Sequence, residues 1–192
     1  MNRQSMLAGA AAGLIACAAA SSAGAAISVI GNSIANSCYR TAEFGGDDNA
    51  GINTCTYALQ QESLTSRDRA ATYINRGILR SRAGDSTGAL ADYDHGLGID
   101  PTLGEGYVDR GATYIALRQY SEALQDINKG LDMGARQPQI AYYDRAIVNE
   151  ALGNIRGAYQ DYKKAVELEP DFTLATQQLS RFKVIRKSPG GA

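Results

Sequence analysis

Few side chains in this 192-residue chain could do chemistry: three cysteines, one histidine and a scatter of acids and arginines. Cys38 and Cys55 stand 17 residues apart, and His95 follows forty residues after the second. Two thiols and one remote histidine do not make the tetrahedral ligand set that zinc takes. A nucleophilic thiol wants a base beside it, and His95 sits in another part of the sequence pattern. The stretch GGDDNAG, Gly45 to Gly51, offers acids and glycine without the spacing of a calcium loop, so it reads as a polar turn. No nucleophile–base–acid set and no phosphate-cradling loop occurs, and neither an enzyme nor a cofactor is expected.

The fate of the thiols depends on the compartment. Arg3 is followed by the apolar run MLAGAAAGLIACAAA, then by SSAGA with Ala23 and Ala25 in an A-x-A arrangement. Residues 1–25 read as a secretory signal cleaved near Ala25. Its Ala and Gly content makes it a weak membrane span. LIAC, Leu14 to Cys17, resembles the bacterial lipoprotein cleavage box, which would anchor the chain through Cys17. The chain is therefore expected to be exported, periplasmic or secreted, with no integral membrane segment once the signal is removed. In an oxidising compartment Cys38 and Cys55 read as one structural disulfide. A formal net charge of -1 gives no footprint for nucleic acid.

A cationic row is the other candidate. YINRGILR, YVDRGATY and YYDRAIVN begin at Tyr73, Tyr107 and Tyr142, and each has an Arg three residues after the aromatic. Arg76, Arg110 and Arg145 are each followed 16 residues later by an acid: Asp92, Asp126 and Asp161. Because the Asp recurs in step, the spacing predicts a ladder of Arg–Asp pairs using arginine's planar fork. The other use of such a row is to hold an anionic partner.

The elements that position this row are written as a period. Gly77, Gly111 and Ala146 lie 34 and 35 residues apart. Ala89, Ala123 and Ala158 follow each of them by twelve residues, and Tyr93, Ile127 and Tyr162 come four later. Gly96, Gly130 and Ala165 follow, and Pro101 and Pro170 close the first and third units. Small residues at this spacing let two antiparallel helices approach closely. A period of about 34 residues holds two helices and two short turns. AGDST and LGNIR carry the Gly that ends a first helix, and the Pro of IDP and LEP stops a second.

This pattern resembles the tetratricopeptide repeat family over roughly residues 70–171. Tyr73, Gly77, Ala89, Tyr93, Gly96 and Pro101 match in the first unit, with Tyr107, Gly111, Tyr114, Ala123 and Gly130 in the second. Tyr142, Ala146, Ala158, Tyr162, Ala165 and Pro170 match in the third. Arg80 and Asn149 depart from the second Tyr, and the middle unit is one residue longer, with MGARQP where a closing Pro belongs. The resemblance implies an all-α, right-handed α-solenoid of antiparallel helix pairs. Three repeats fall within 67–170, at about 70–103, 104–138 and 139–171.

Both ends need covers, because a terminal repeat lacks a neighbour. Residues 26–66 read as a degenerate helical hairpin, Ser33 to Glu43 and Gly51 to Gln61 around a Gly-rich turn. The offset between Cys38 and Cys55 equals that between Arg76 and Tyr93 on facing helices, so a disulfide can staple this cap. Residues 171–186, with Leu174, Leu179, Phe182 and Ile185 near helical spacing, read as a closing helix, and 187–192 as a tail. Arg181, Lys183, Arg186 and Lys187 make this end basic, as suits a helix C-terminus. A lipid or peptidoglycan contact is the alternative.

The resemblance further implies that the first helix of each pair lines a concave face where partners bind. That places Ile74, Asn75, Ile78 and Arg82 there from the first repeat, and Glu105, Val108, Asp109 and Ala112 from the second. Tyr143, Asp144, Ile147 and Glu150 come from the third. Such a groove is apolar with an acidic tint and suits a neutral or basic peptide, extended or helical. A family subset grips C-terminal carboxylates with Lys and Asn. Here only Asn75 and Arg82 are of that kind, and Asp109 and Asp144 would repel a carboxylate. The function expected is a non-enzymatic interaction scaffold for a protein or peptide partner. The alternative is an architectural or self-associating envelope protein whose groove takes another copy.

Overall fold

From the first repeat onward, three glycines and one arginine turn the chain between its helices. Gly84, Gly134 and Gly153 have φ of 86°, 73° and 77°, and Arg118 takes the same left-handed turn at φ 59°. Glycine adopts this region freely, whereas arginine does so at a steric cost. The computed structural model describes residues 25–31 and 33–182. The expected signal except Ala25, the lipidation site Cys17 and the tail lie outside the described residues.

Nine helices and no strand are found among the described residues: α1 (Ile34–Phe44), α2 (Asp48–Gln61), α3 (Ser66–Arg82), α4 (Ser86–Ile99), α5 (Gly104–Ala116), α6 (Tyr120–Asp132), α7 (Pro138–Ala151), α8 (Ile155–Leu168) and α9 (Thr173–Leu179). Side-chain oxygens start several of them. Ser33, Asp47, Thr65, Asp85 and Asn154 each accept a backbone N–H of the first turn. None of the described helices is long and apolar enough to cross a membrane.

Helices α1/α2, α3/α4, α5/α6 and α7/α8 pack as antiparallel pairs stacked in chain order. The first helices also touch one another, α3 to α5 and α5 to α7, while the second helices make no comparable contact. The stack therefore curves with the first helices inside. Close approach within a pair depends on the small residues. A Cβ on Gly77 would stand 2.7 Å from the Tyr93 ring, and one on Gly96 would stand 2.9 Å from the Ala70 carbonyl oxygen. The rings and aliphatic side chains of Tyr93, Ile127 and Tyr162 fill the space so created, fully buried.

The arginine row is a ladder. Arg76 Nε and Nη2 donate to Asp92 at 2.8 and 2.7 Å. Arg110 grips Asp126 at 2.7 and 2.9 Å, and Arg145 grips Asp161 at 2.9 and 2.7 Å. Each guanidinium sends its third donor to the second helix of the preceding pair: to Thr56, Asp94 and Asn128 in turn. Each also lies over the aromatic ring three residues before it, Tyr73, Tyr107 or Tyr142, at 5.1–5.5 Å. One arginine per repeat thus ties three helices together. The two departures at the second-Tyr position join the ladder, since Arg80 donates to Asp92 and Asn149 to Asp161, each at 2.9 Å.

Cys38 on α1 and Cys55 on α2 form a disulfide, with Cα atoms 4.9 Å apart and both residues buried. It closes a loop of 17 residues' separation. The double substitution Cys38→Ser/Cys55→Ser is expected to lower stability by about 3 kcal/mol in the chain-entropy account. Denaturant unfolding with and without a reductant reads this. An unchanged midpoint would mean the bond staples nothing.

The closing helix is shorter than the sequence predicts. α9 ends at Leu179, and Ser180 to Phe182 form a turn closed by bonds to residues three or four back. The Phe182 ring lies against Tyr159 and Tyr162, each 5.9 Å away.

Candidate functional site

The inner face carries a repeated position whose chemistry changes from repeat to repeat. Asn75 on α3, Asp109 on α5 and Asp144 on α7 are 34 and 35 residues apart, each immediately before a ladder arginine. Helix periodicity turns the arginine toward the second helices and the preceding residue toward the inside.

The first of these residues holds a piece of the chain itself. The N–H of Ile27 donates to Asn75 Oδ1, and Asn75 Nδ2 donates to the Ile27 carbonyl oxygen, both at 2.8 Å. The carboxamide thereby satisfies a whole residue's main chain. Arg136 Nη2 donates to the Ala26 carbonyl at 2.8 Å, and the Asn36 amide donates to the Val29 carbonyl. The Ala25 backbone N–H faces Asp109 and opposes the rise of its carboxyl pKa. Residues 25–30 are non-helical and run past α5, α3 and α1 in that order. Ala26, Ile27 and Val29 are buried, while Ser28 and Ile30 are exposed.

The two carboxylates of the row are deeply set. Asp109 is 5% exposed and Asp144 2% exposed, and one oxygen of each, Oδ2, has no hydrogen-bond partner among the described residues. Burial pushes the Asp109 carboxyl well above its usual range, and the Asp144 and Glu105 charges push it further, against the Ala25 N–H. Burial alone pushes Asp144 up to about 7. The lip of the site is Glu105, which accepts from Arg136 Nε at 2.8 Å and from the Arg136 backbone N–H at 3.2 Å.

Several residues expected on this face are committed to packing. Ile74 is buried where α4 and α5 meet, against Gly96 and Gly106. Val108 packs over Gly130, and Ile78 is buried in the first core cluster. Tyr143 is 6% exposed, with its ring between Tyr162 and Phe172 at 5.7 and 5.2 Å. None of these four can touch a partner as it stands. Arg82 is occupied by Asp48 and by the carbonyls of Thr41 and Ala42, fastening the end of α1 to α3. Glu150 accepts from Tyr162 Oη and from Arg181. Ala112 and Ile147 keep partial exposure, Asn75 bonds the segment, and Glu105 reaches it through Arg136.

Two components went unread in the sequence. Arg136 lies in the loop that makes the middle unit one residue longer, so that insertion supplies a side chain to the site. The segment 25–30 carries no such signal, since AISVI is apolar except at Ser28 and only the structure shows Ile27 and Val29 buried with Ser28 and Ile30 exposed.

Residues 140–172 match the sequence profile described as tetratricopeptide repeat. Mouse RNA polymerase II-associated protein 3 is 28% identical over 131 residues, spanning 65% of this chain and 20% of that protein. Serine/threonine-protein phosphatase T of Trypanosoma brucei brucei is 34% identical over 61 residues, 32% of this chain and 13% of its own length. The chain thus spans about a fifth or less of these relatives. Among solved structures, the first such domain of Spaghetti (RPAP3) bound to the HSP90 peptide SRMEEVD superposes with a TM-score of 0.57 at 26% identity. That match covers 61% of this chain and 94% of that one.

Proposed function

We propose, for a chain built of tetratricopeptide repeats, that it is a non-enzymatic interaction scaffold whose inner face holds an extended polypeptide by its main chain. The observation that carries this is the paired hydrogen bond between Asn75 and the backbone of Ile27. Such a bond is blind to side chains, so it recognises extension itself. Selection then falls to the pockets that take Ile27 and Val29 and to the acids beside them.

The acids set the preferred charge. The Spaghetti domain holds the acidic peptide SRMEEVD. Here Asp109 and Glu105 on α5, with Asp144 on the next inner helix, give this face acids, so a neutral or basic ligand suits it. The short match to phosphatase T covers a small part of that enzyme and supplies no catalytic set. We place the chain in an exported, oxidising compartment, because Cys38 and Cys55 pair and the leader ends in a cleavable small-residue motif. A second reading, self-association, is favoured by one fact: the segment seated on the inner face belongs to this chain, and another copy carries the same one.

The described segment meets α5 at Ala25, so a chain arriving over α7 reaches Ile147 first. A photo-crosslinking residue at Ile147, in cells producing the chain, is expected to yield one discrete heterologous adduct identified by mass spectrometry. Adducts only with itself would establish the self-associating reading. No adduct above that from exposed Gln160 on α8 would overturn both.

A further inference from the structure

Residues 26–30 are held as a ligand is held. Among the described residues, no main-chain to main-chain hydrogen bond ties them to the rest of the fold. Side chains of the scaffold grip their backbone instead. Asn75 on α3 takes both polar groups of Ile27, Arg136 of the α6–α7 loop takes the Ala26 carbonyl, and Asn36 on α1 takes the Val29 carbonyl. The segment returns only apolar side chains. Ala26, Ile27 and Val29 are buried in the first core cluster, with Ile78 and Tyr107, while Ser28 and Ile30 face solvent. Any extended chain that reads small, aliphatic, any residue, aliphatic can offer the same set.

We infer that residues 26–30 are a displaceable strap that copies the partner: the inner face takes an extended segment written small–aliphatic–any–aliphatic, and the strap must leave before that segment enters. This rests on the reading above, in which the inner face holds an extended polypeptide by its main chain.

The local geometry assigns the strap to its own copy. Asn36, which holds Val29, lies seven residues further along the same chain. Between them Gly31 has φ 102°, and a Cβ there would meet nothing within 4 Å. The segment thus joins α1 through an uncrowded left-handed joint that glycine adopts freely. A tether this short keeps the strap at an effective concentration in the millimolar range. A partner's apparent affinity is then reduced by the fraction of chains whose strap is open. Substitutions divide accordingly. A change in the groove, such as at Asn75, weakens strap and partner alike. A change in Ile27 or Val29 weakens only the competitor.

The test uses the full chain, produced in an exporting bacterial host. Fluorescence polarisation follows a labelled peptide, AISVIGKK, which is residues 26–31 with two added lysines. Ile27→Gly/Val29→Gly in the chain removes the strap's anchors and is expected to bind this peptide at least about tenfold more tightly than the unaltered chain does. In the peptide, Ser28→Lys should change little, whereas Ile27→Asp should abolish binding. Methylation of the peptide's Ile27 amide nitrogen, which removes the donor to Asn75, should abolish it too. Equal binding by both chains, no binding by the loosened one, or an Ile27→Asp peptide that binds as well would overturn the strap. Hydrogen exchange of the unaltered chain tests it without substitution. The Ile27 amide should be protected at least about tenfold less than the amides of buried Leu79 and Val148, because local opening costs less than global unfolding. Equal protection would mean that the strap leaves only when the fold does, and would overturn it. Dimers of the unaltered chain that vanish on Ile27→Gly/Val29→Gly would show the segment trading between copies, and would also overturn it. An adduct from Ile147 with no peptide captured would sink this inference alone. A captured peptide without that adduct would support the strap and remove the heterologous scaffold.

Discussion

Asp92→Ala is expected to destabilise the protein by about 3–5 kcal/mol, the range found when one member of a buried ion pair is removed. Asp92 is 3% exposed and accepts three charge-assisted bonds, two from Arg76 and one from Arg80, at 2.7–2.9 Å. Alanine would leave two guanidiniums facing each other across a vacated site. Their partial access to water pulls the cost toward the lower end of that range. Arg76 also bonds Thr56 on α2, so the loss loosens the junction of the entry pair with the first repeat as well as the α3–α4 pair. The destabilisation is therefore expected with reduced cooperativity, read by denaturant unfolding followed with two probes. A combined Arg76→Met/Asp92→Leu variant should recover much of the loss, because an apolar pair strands less charge. A cost for Asp92→Ala below about 1 kcal/mol, the level of an exposed pair, would remove the ladder as a source of stability.

The ladder was legible because it is arithmetic. An Arg and an Asp that recur in step, 16 residues apart, across two helices of fixed length must face each other in every repeat or in none. The same period gave the helix pairs and the hairpin that brings Cys38 to Cys55. The inner face resisted for a geometric reason. On a helix of 3.6 residues per turn, the positions facing the partner helix and those facing the groove interleave within one turn. Ile74 and Asn75 are adjacent in sequence, yet Ile74 fills a junction between helices while Asn75 grips the backbone of Ile27. Burial does not separate them, because both are fully buried. Arg136 was invisible because it lies in the loop where the period breaks. Arg80 and Asn149 looked like departures because the family pattern has an aromatic there. Their second role follows from reach: each extends across the pair to an Asp twelve residues on.

Asp144→Asn is expected to raise stability at pH 8 by up to about 4 kcal/mol and to change it little at pH 4. The folded protein keeps the Asp144 proton up to about pH 7, because burial disfavours the charge, whereas the unfolded chain releases it near the ordinary value of 3.8. The folded state thus binds more protons between these values, so stability is full below about pH 4 and falls as pH rises toward 7. Asparagine removes that slope along with the charge. Urea unfolding of both proteins across pH 4 to 8 reads the difference, and parallel curves would mean that Asp144 titrates as it does in water.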